Sequence, residues 1–310
     1  MVSSGGWTGT QCKTHAARKH RHAYDSRPIL PLAARRMLNP LQKRRYREDG
    51  YVVLAHFRPP AALSALRRRA HEIVEAFDPE AGAGVFSTRE QNADAWFLGS
   101  ADSVRCFFEE DAFDERGGLR QPKALSINKI GHALHERDPV FAAFSHGADW
   151  AELAGDLGLV APQLWQSMFI FKQPGIGGEV RWHQDATFLH SEPISVTGFW
   201  IALEDATVDN GCLWVAPGGH RGPLRQLFVR DGDAVRLVTL DDSPWPDLEA
   251  AVPLEVPAGT LVCFHGLLPH YSAPNRSPQS RHAYTLHAVD GRSRWSSDNW
   301  LRRASLPGGF

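Results

Sequence analysis

Val196-Thr-Gly-Phe-Trp-Ile-Ala-Leu203 is followed by Asp209-Asn-Gly211 and then by Cys212-Leu-Trp-Val215. Two short apolar runs separated by turn residues read as strands. Asn and Gly tolerate positive φ, so Asp209-Asn210-Gly211 predicts a hairpin turn between them. Working outward, the texture repeats. Ser167–Lys172, Leu254–Val256, Leu261–His265 and His282–Val289 are further short apolar runs, and Pro257-Ala258-Gly259 is another turn. Before about Leu164 the pattern differs. Tyr51–Leu54 reads as a strand. Pro59-Pro60 opens a helix, where Pro suits the first turn, and Leu63, Leu66, Ala70, Ile73, Val74 and Phe77 recur at helical spacing. Asp138-Pro139 starts a second helical region through Phe141, Phe144, Trp150 and Leu153. Helices first and short strands later predict a mainly β fold, an antiparallel sandwich or barrel with helical support. Segments 79–123 and 221–250 read as loops that shape an entrance.

The composition sets limits on function. Lys plus Arg is 34 and Asp plus Glu is 35, a net charge of -1, so no broad pull toward nucleic acid or an anionic membrane is expected. No apolar stretch approaches the ~20 residues of a membrane span. Residues 1–38 carry Lys13, Arg18, Lys19, Arg21, Arg27, Arg35 and Arg36 against Asp25 and show no apolar period, which predicts a disordered basic tail. Met37 opens a more ordinary sequence and is a candidate start, with one domain over 39–310. Cys12, Cys106, Cys212 and Cys263 lie far apart with no Cys-x-x-Cys pair. They read as free thiols of a reducing, cytoplasmic compartment. Oligomeric state is not legible.

His183-Gln184-Asp185 carries the chemistry. Side chains alternate along a strand, so His183 and Asp185 are expected on one face and Gln184 on the other. An imidazole and a carboxylate facing one ion, completed by a His from another strand, form the 2-His-1-carboxylate triad of non-haem iron(II) oxygenases. Among 15 histidines a lone His-x-Asp is weak evidence. The downstream context strengthens it. Pro269-His270-Tyr271-Ser272 follows an apolar strand, and Arg281 comes eleven residues after His270. A guanidinium fork there suits a bidentate carboxylate contact, and Ser272 would share the face of His270. His265 is the rival third ligand.

The chain resembles the phytanoyl-CoA dioxygenase family, most of all its branch of domain-containing proteins. The resemblance rests on Ser126–His135, Gln166–Pro174, Gly177–Val180, His183–Phe188, Trp200–Ala206, Asn210–Trp214 and Arg281–Thr285. It implies a double-stranded β-helix (jelly roll, cupin-like) over about 162–290, with N-terminal helices. It implies Fe(II), 2-oxoglutarate and O2 as cofactor and co-substrates, with His183, Asp185 and His270 as metal ligands. It assigns Arg281, helped by Ser272, to the distal carboxylate of 2-oxoglutarate, and Lys129, Met168 and Trp200 to the same pocket. His132 and His135 fall in a matched stretch, with either the substrate side or internal packing open to them. The activity implied is hydroxylation of a small-molecule or lipid-like substrate. The alternatives are a non-catalytic metal- and 2-oxoglutarate-binding protein and a zinc-dependent cupin-type enzyme.

Overall fold

The computed structural model describes Met1, residues 38–86 and residues 94–310. Cys12 and most of the tail expected over 1–38 lie outside the described residues. In chain order the elements are Pro40–Asp49 (α1), Tyr51–Leu54 (β1), Pro60–Ala76 (α2), Gly84–Val85 (β2), Ala95–Leu98 (α3), Val104–Phe108 (β3), Ile127–His132 (β4), Leu134–Arg137 (α4), Pro139–Ser145 (α5) and Ala148–Asp156 (α6). The β-rich part follows with Pro162–Ile170 (β5), Val180–His183 (β6), Ser191–Glu192 (β7), Thr197–Ala202 (β8), Leu213–Val215 (β9), Gln226–Asp231 (β10) and Ala234–Thr239 (β11). Val252–Leu254 (β12), Leu261–His265 (β13), His270–Ser272 (β14), Ala283–Asp290 (β15) and Arg294–Trp295 (β16) complete it.

Local signals explain the helix boundaries. Asn39 and Gln42 exchange side chain-to-backbone hydrogen bonds at 2.9 Å, a capping box at the start of α1. Gly50 closes that helix at φ 83, its N–H donating to the Tyr46 carbonyl. The helical region after Asp138 is broken at His146-Gly147 into α5 and α6.

Among the described residues eight strands form the large sheet, in the order β1-β13-β8-β15-β5-β4-β3-β2. Every pairing is antiparallel except β2 with β3. The small sheet runs β12-β9-β14-β6. Leu63, Leu66, Ala70 and Val74 of α2, Phe141 of α5, and Trp150 and Leu153 of α6 bury against Phe169, Phe199, Ile201, Tyr284 and Leu286 on one face of the large sheet. The opposite face meets the small sheet through Trp200, Ala202, Leu213, Val215, Leu254, Val262, Phe264 and Ala283. The result is a jelly roll with helices on its outer side.

Two expectations need correction. The turn at Asp209-Asn210-Gly211 exists, with Gly211 at φ 82 and Asn210 Oδ1 accepting from the Thr207 N–H at 2.8 Å. It does not make a hairpin. β8 lies between β13 and β15, and β9 between β12 and β14. The Leu203 N–H donates to the His282 carbonyl, and Ala206 bridges Val256. These ties fix the linker as it carries the chain from one sheet to the other. Nor are 79–123 and 221–250 plain loops. The first contains β3, paired with β4. The second contains the β10–β11 ribbon, whose last pair is Asp231 with Ala234, so it turns at Gly232-Asp233 with Gly232 at φ 62.

Candidate metal centre

Register brings the site together. His183 on β6 pairs directly with His270 on β14, and their ring centroids lie 4.0 Å apart. Directly paired residues share a face. β6 ends at His183, so Asp185 is not on a strand as expected but opens a short 3-10 turn, Asp185–Thr187. Its carbonyl accepts from the Phe188 and Leu189 N–H groups at 3.0 Å each. Gln184 does point away. Its Nε2 donates to the Pro223 and Leu267 carbonyls and its Oε1 accepts from the Arg225 N–H.

Asp185 Oδ1 lies 3.8 Å from His183 Nε2 and 3.6 Å from His270 Nε2. One candidate ligand atom from each of His183, Asp185 and His270 falls within 4.8 Å of the others. Each imidazole is oriented from behind. His183 Nδ1 is 2.9 Å from the Arg181 carbonyl and His270 Nδ1 is 3.0 Å from that of Leu268. Protons on the two Nδ1 atoms leave both Nε2 lone pairs for a metal. Burial, and then the neighbouring His270, lower His183 to about 3, so its ring is neutral at physiological pH. Burial alone would raise Asp185, but the surrounding His287, His270 and His183 outweigh it and hold the carboxyl below its usual range.

The large sheet supplies the wall behind the triad. Thr285 pairs with both Met168 and Trp200, and Lys129 pairs with Ile170, two residues from Met168. Lys129, Met168 and Trp200 therefore share one face. Arg281, four residues before Thr285, is 2% exposed. Its Nε donates to the Gly211 carbonyl at 3.1 Å, its Nη2 lies 3.5 Å from Ser272 Oγ, and its guanidinium carbon is 5.4 Å from the Trp200 ring centre. Among the described residues its buried Nη1 has no hydrogen-bond partner, although such groups are normally satisfied. Burial lowers Arg281 to about 10, so it stays charged at neutral pH. Burial also lowers Lys129 to about 7 against the pull of Glu109, and its Nζ sits 3.0 Å from the Phe86 ring centre. Two imidazoles and one carboxylate fit a divalent metal, and a guanidinium with Nη2 near Ser272 and Nη1 unpartnered among the described residues fits an incoming carboxylate. Of the eight residues expected at the site, His183, Asp185 and His270 lie together, Arg281 lies beside Ser272 and Trp200, and Lys129 and Met168 lie on the same face of the large sheet as Trp200.

Other histidines stand apart. His265 Nδ1 accepts from the Leu267 N–H at 3.1 Å, and its ring faces His220 at 5.4 Å, so it is no rival ligand. His135 is buried and bonded to Ser167 Oγ and the Leu164 carbonyl. His132 Nδ1 lies 2.7 Å from Ser100 Oγ among Phe97, Phe107 and Trp300. Both serve packing.

Three residues escaped the sequence reading. His287 Nε2 is 3.2 Å from Asp185 Oδ2. Arg281 and His287 are six apart flanking and within one strand, so parity put them on one face. Gly198, paired with His287, admits the carboxylate: a Cβ there would stand 2.8 Å from Asp185 Oδ2. A Gly inside an apolar strand signals such an approach. Lys172 is buried, with Nζ donating to the Gly178 carbonyl at 2.5 Å and lying 3.4 Å from that of Ser272. Burial and the nearby Arg281 push it well below the usual range.

Comparison with known proteins agrees with this geometry. The family model described as "Phytanoyl-CoA dioxygenase (PhyH)" matches residues 46–283. The chain is 50% identical over 272 residues to "Phytanoyl-CoA dioxygenase 1" of Oryza sativa subsp. japonica, covering 86% of this chain and 94% of that one. It is 44% identical over 276 residues to "Phytanoyl-CoA dioxygenase domain-containing protein 1" of Bos taurus, covering 86% and 95%. Among solved structures, the non-heme alpha-ketoglutarate-dependent carbocyclase SnoK from nogalamycin biosynthesis aligns at TM-score 0.61 and 22% identity, over 88% of this chain and 93% of that one. EctD from S. alaskensis, crystallised with bound Fe, aligns at 0.60 and 21%, over 88% and 86%. These two likenesses bear on the fold. On the length of the family match and the identities to its relatives, the chain belongs to the phytanoyl-CoA dioxygenase family.

Proposed function

We propose that this protein is an iron(II)- and 2-oxoglutarate-dependent oxygenase that hydroxylates a small-molecule or lipid-like substrate in the cytoplasm. The observation that carries the reading is the pairing of a two-His, one-carboxylate cluster with a buried Arg281 whose Nη1 has no partner among the described residues. His183, Asp185 and His270 would hold the metal. When bound, the metal and 2-oxoglutarate supply the oxidising chemistry: the keto acid and O2 give succinate and CO2, and the substrate gains a hydroxyl.

The chain's own contribution is placement. The Arg181 and Leu268 carbonyls fix the two imidazoles. Arg281, anchored on Gly211, and Ser272 receive the distal carboxylate of the keto acid. Lys129 adds a positive charge for a dianion, while Met168 and Trp200 make an apolar wall that limits water. The buried free thiols of Cys106, Cys212 and Cys263 support the cytoplasmic reading.

Asp185 bears on the outcome. A carboxylate in the ligand set occupies the place a halide would need, so the expected product is hydroxylated. Purified protein supplied with Fe(II), 2-oxoglutarate and O2 should form succinate and His183→Ala should form none, and with an accepted substrate and chloride present the wild type should give hydroxylated and no chlorinated product. Succinate at the wild-type rate from His183→Ala, or a chlorinated product, would overturn the assignment.

A further inference from the structure

The two oxygens of Asp185 face different groups. Oδ1 is turned to His183 and His270, at 3.8 and 3.6 Å. Oδ2 is turned to the large sheet, where His287 Nε2 stands 3.2 Å away. That contact is within hydrogen-bond reach but is not an aligned hydrogen bond. The space for Oδ2 exists because position 198 has no side chain. An alanine Cβ there would come within 2.8 Å of Oδ2 and 2.5 Å of the Phe264 ring. His287, Gly198 and Gln166 form one cross-strand row on β15, β8 and β5, so the sheet builds a notch with a nitrogen at its side.

The proton on His287 can be placed. The residue is 4% exposed and its buried Nδ1 has no partner among the described residues. A proton on Nδ1 would leave a buried N–H unpaired and turn the Nε2 lone pair toward a carboxylate. A proton on Nε2 gives that carboxylate a donor and leaves Nδ1 as an unpaired acceptor, without the repulsion of a lone pair turned toward a carboxylate.

We propose that His287 is a positioning residue, resting on the assignment of the metal site above: its Nε2–H holds Asp185 Oδ2 in the Gly198 notch, so that Oδ1 alone is offered with His183 and His270. A carboxylate restrained to one oxygen leaves the remaining coordination positions for the keto acid and O2. A carboxylate free to rotate would take one of them.

The test is anaerobic titration of wild type, His287→Phe, His287→Leu and His287→Gln with Fe(II), then with 2-oxoglutarate, following the visible charge-transfer band. Thermal unfolding without metal checks the fold of each. The Gln amide keeps a donor near Nε2, while Phe and Leu remove it. His287→Phe and His287→Leu should bind Fe(II) about 10- to 100-fold more weakly with a displaced band, and His287→Gln should lie within about threefold of wild type. Wild-type affinity and band in folded His287→Phe or His287→Leu would overturn the proposal. Equal losses in all three variants would also overturn it, because the donor would then not matter. Wild type that binds Fe(II) but whose variants are unaltered sinks His287 alone. Wild type that binds no metal sinks the site assignment with it.

Discussion

Arg281 donates from Nε to the Gly211 carbonyl at 3.1 Å, which anchors one edge of the guanidinium and leaves Nη1 buried and unpartnered. An anchored fork with a free end is preorganised for a carboxylate. A hydrogen bond to a charged group contributes about 1.5–3 kcal/mol, so Arg281→Ala should weaken 2-oxoglutarate binding roughly 10- to 100-fold. Arg281→Lys should not restore it, because a point charge cannot match the planar fork. Calorimetric titration of the anaerobic Fe(II) protein measures this. Unchanged affinity in Arg281→Ala would place the keto acid elsewhere.

Gly198→Ala should cost both stability and metal affinity. Its Cβ would stand 2.5 Å from the Phe264 ring and 2.8 Å from Asp185 Oδ2, and overpacking of this kind costs about 1–3 kcal/mol. Thermal unfolding reads the first effect and metal titration the second. A variant with both values unchanged would mean the notch is more accommodating than its geometry indicates.

Lys129 should make co-substrate binding depend on pH. Burial lowers its ammonium to about 7 in the folded protein, while the unfolded chain keeps an ordinary lysine value. Between these two values the unfolded state binds the extra proton, so the cost of burying the charged ammonium is borne in full below about pH 7 and is relieved as pH rises from there toward the ordinary lysine value. 2-Oxoglutarate favours the charged form. Its affinity should therefore fall, with proton uptake on binding, as pH rises from about 7 to about 9. Titrations in two buffers of different ionisation enthalpy measure the uptake, and Lys129→Met should abolish the dependence. A dependence that survives in Lys129→Met assigns it to another group.

Trp150 tests the outer layer independently of the site. It is fully buried, donates from Nε1 to the Phe144 carbonyl at 2.8 Å, and packs on Phe199 and Phe310. Trp150→Ala should lose about 3–5 kcal/mol, read by denaturant unfolding. A loss below about 1 kcal/mol would mean that the helices contribute little to the sheet.

The large features were legible because they are local. Leu63, Leu66, Ala70 and Val74 lie on the buried stripe that their spacing predicts, and the runs around Val196–Leu203 and His282–Val289 are strands. Alternation along a strand predicted that Gln184 faces away from the triad, and it does, although the strand ends at His183 and does not carry Asp185. What was hidden is non-local. Nothing in Asp209-Asn210-Gly211 says whether the flanking strands pair or enter different sheets. That is decided by the ties of Leu203 to His282 and of Ala206 to Val256. His287 and Lys172 look like ordinary strand and loop residues until the register sets them beside Asp185 and Ser272. The extent of β3 was missed because Val104-Arg-Cys-Phe-Phe108 is too short to fix a period.

The most direct measurement is anaerobic addition of Fe(II) and 2-oxoglutarate to the metal-free protein, recording the visible charge-transfer band, followed by admission of O2 and assay of succinate. The band should appear in wild type and fail in His183→Ala and Arg281→Ala, and succinate should form in wild type alone. Folded, iron-loaded wild type that gives neither band nor succinate would contradict the assignment of this site to 2-oxoglutarate-dependent oxygenation.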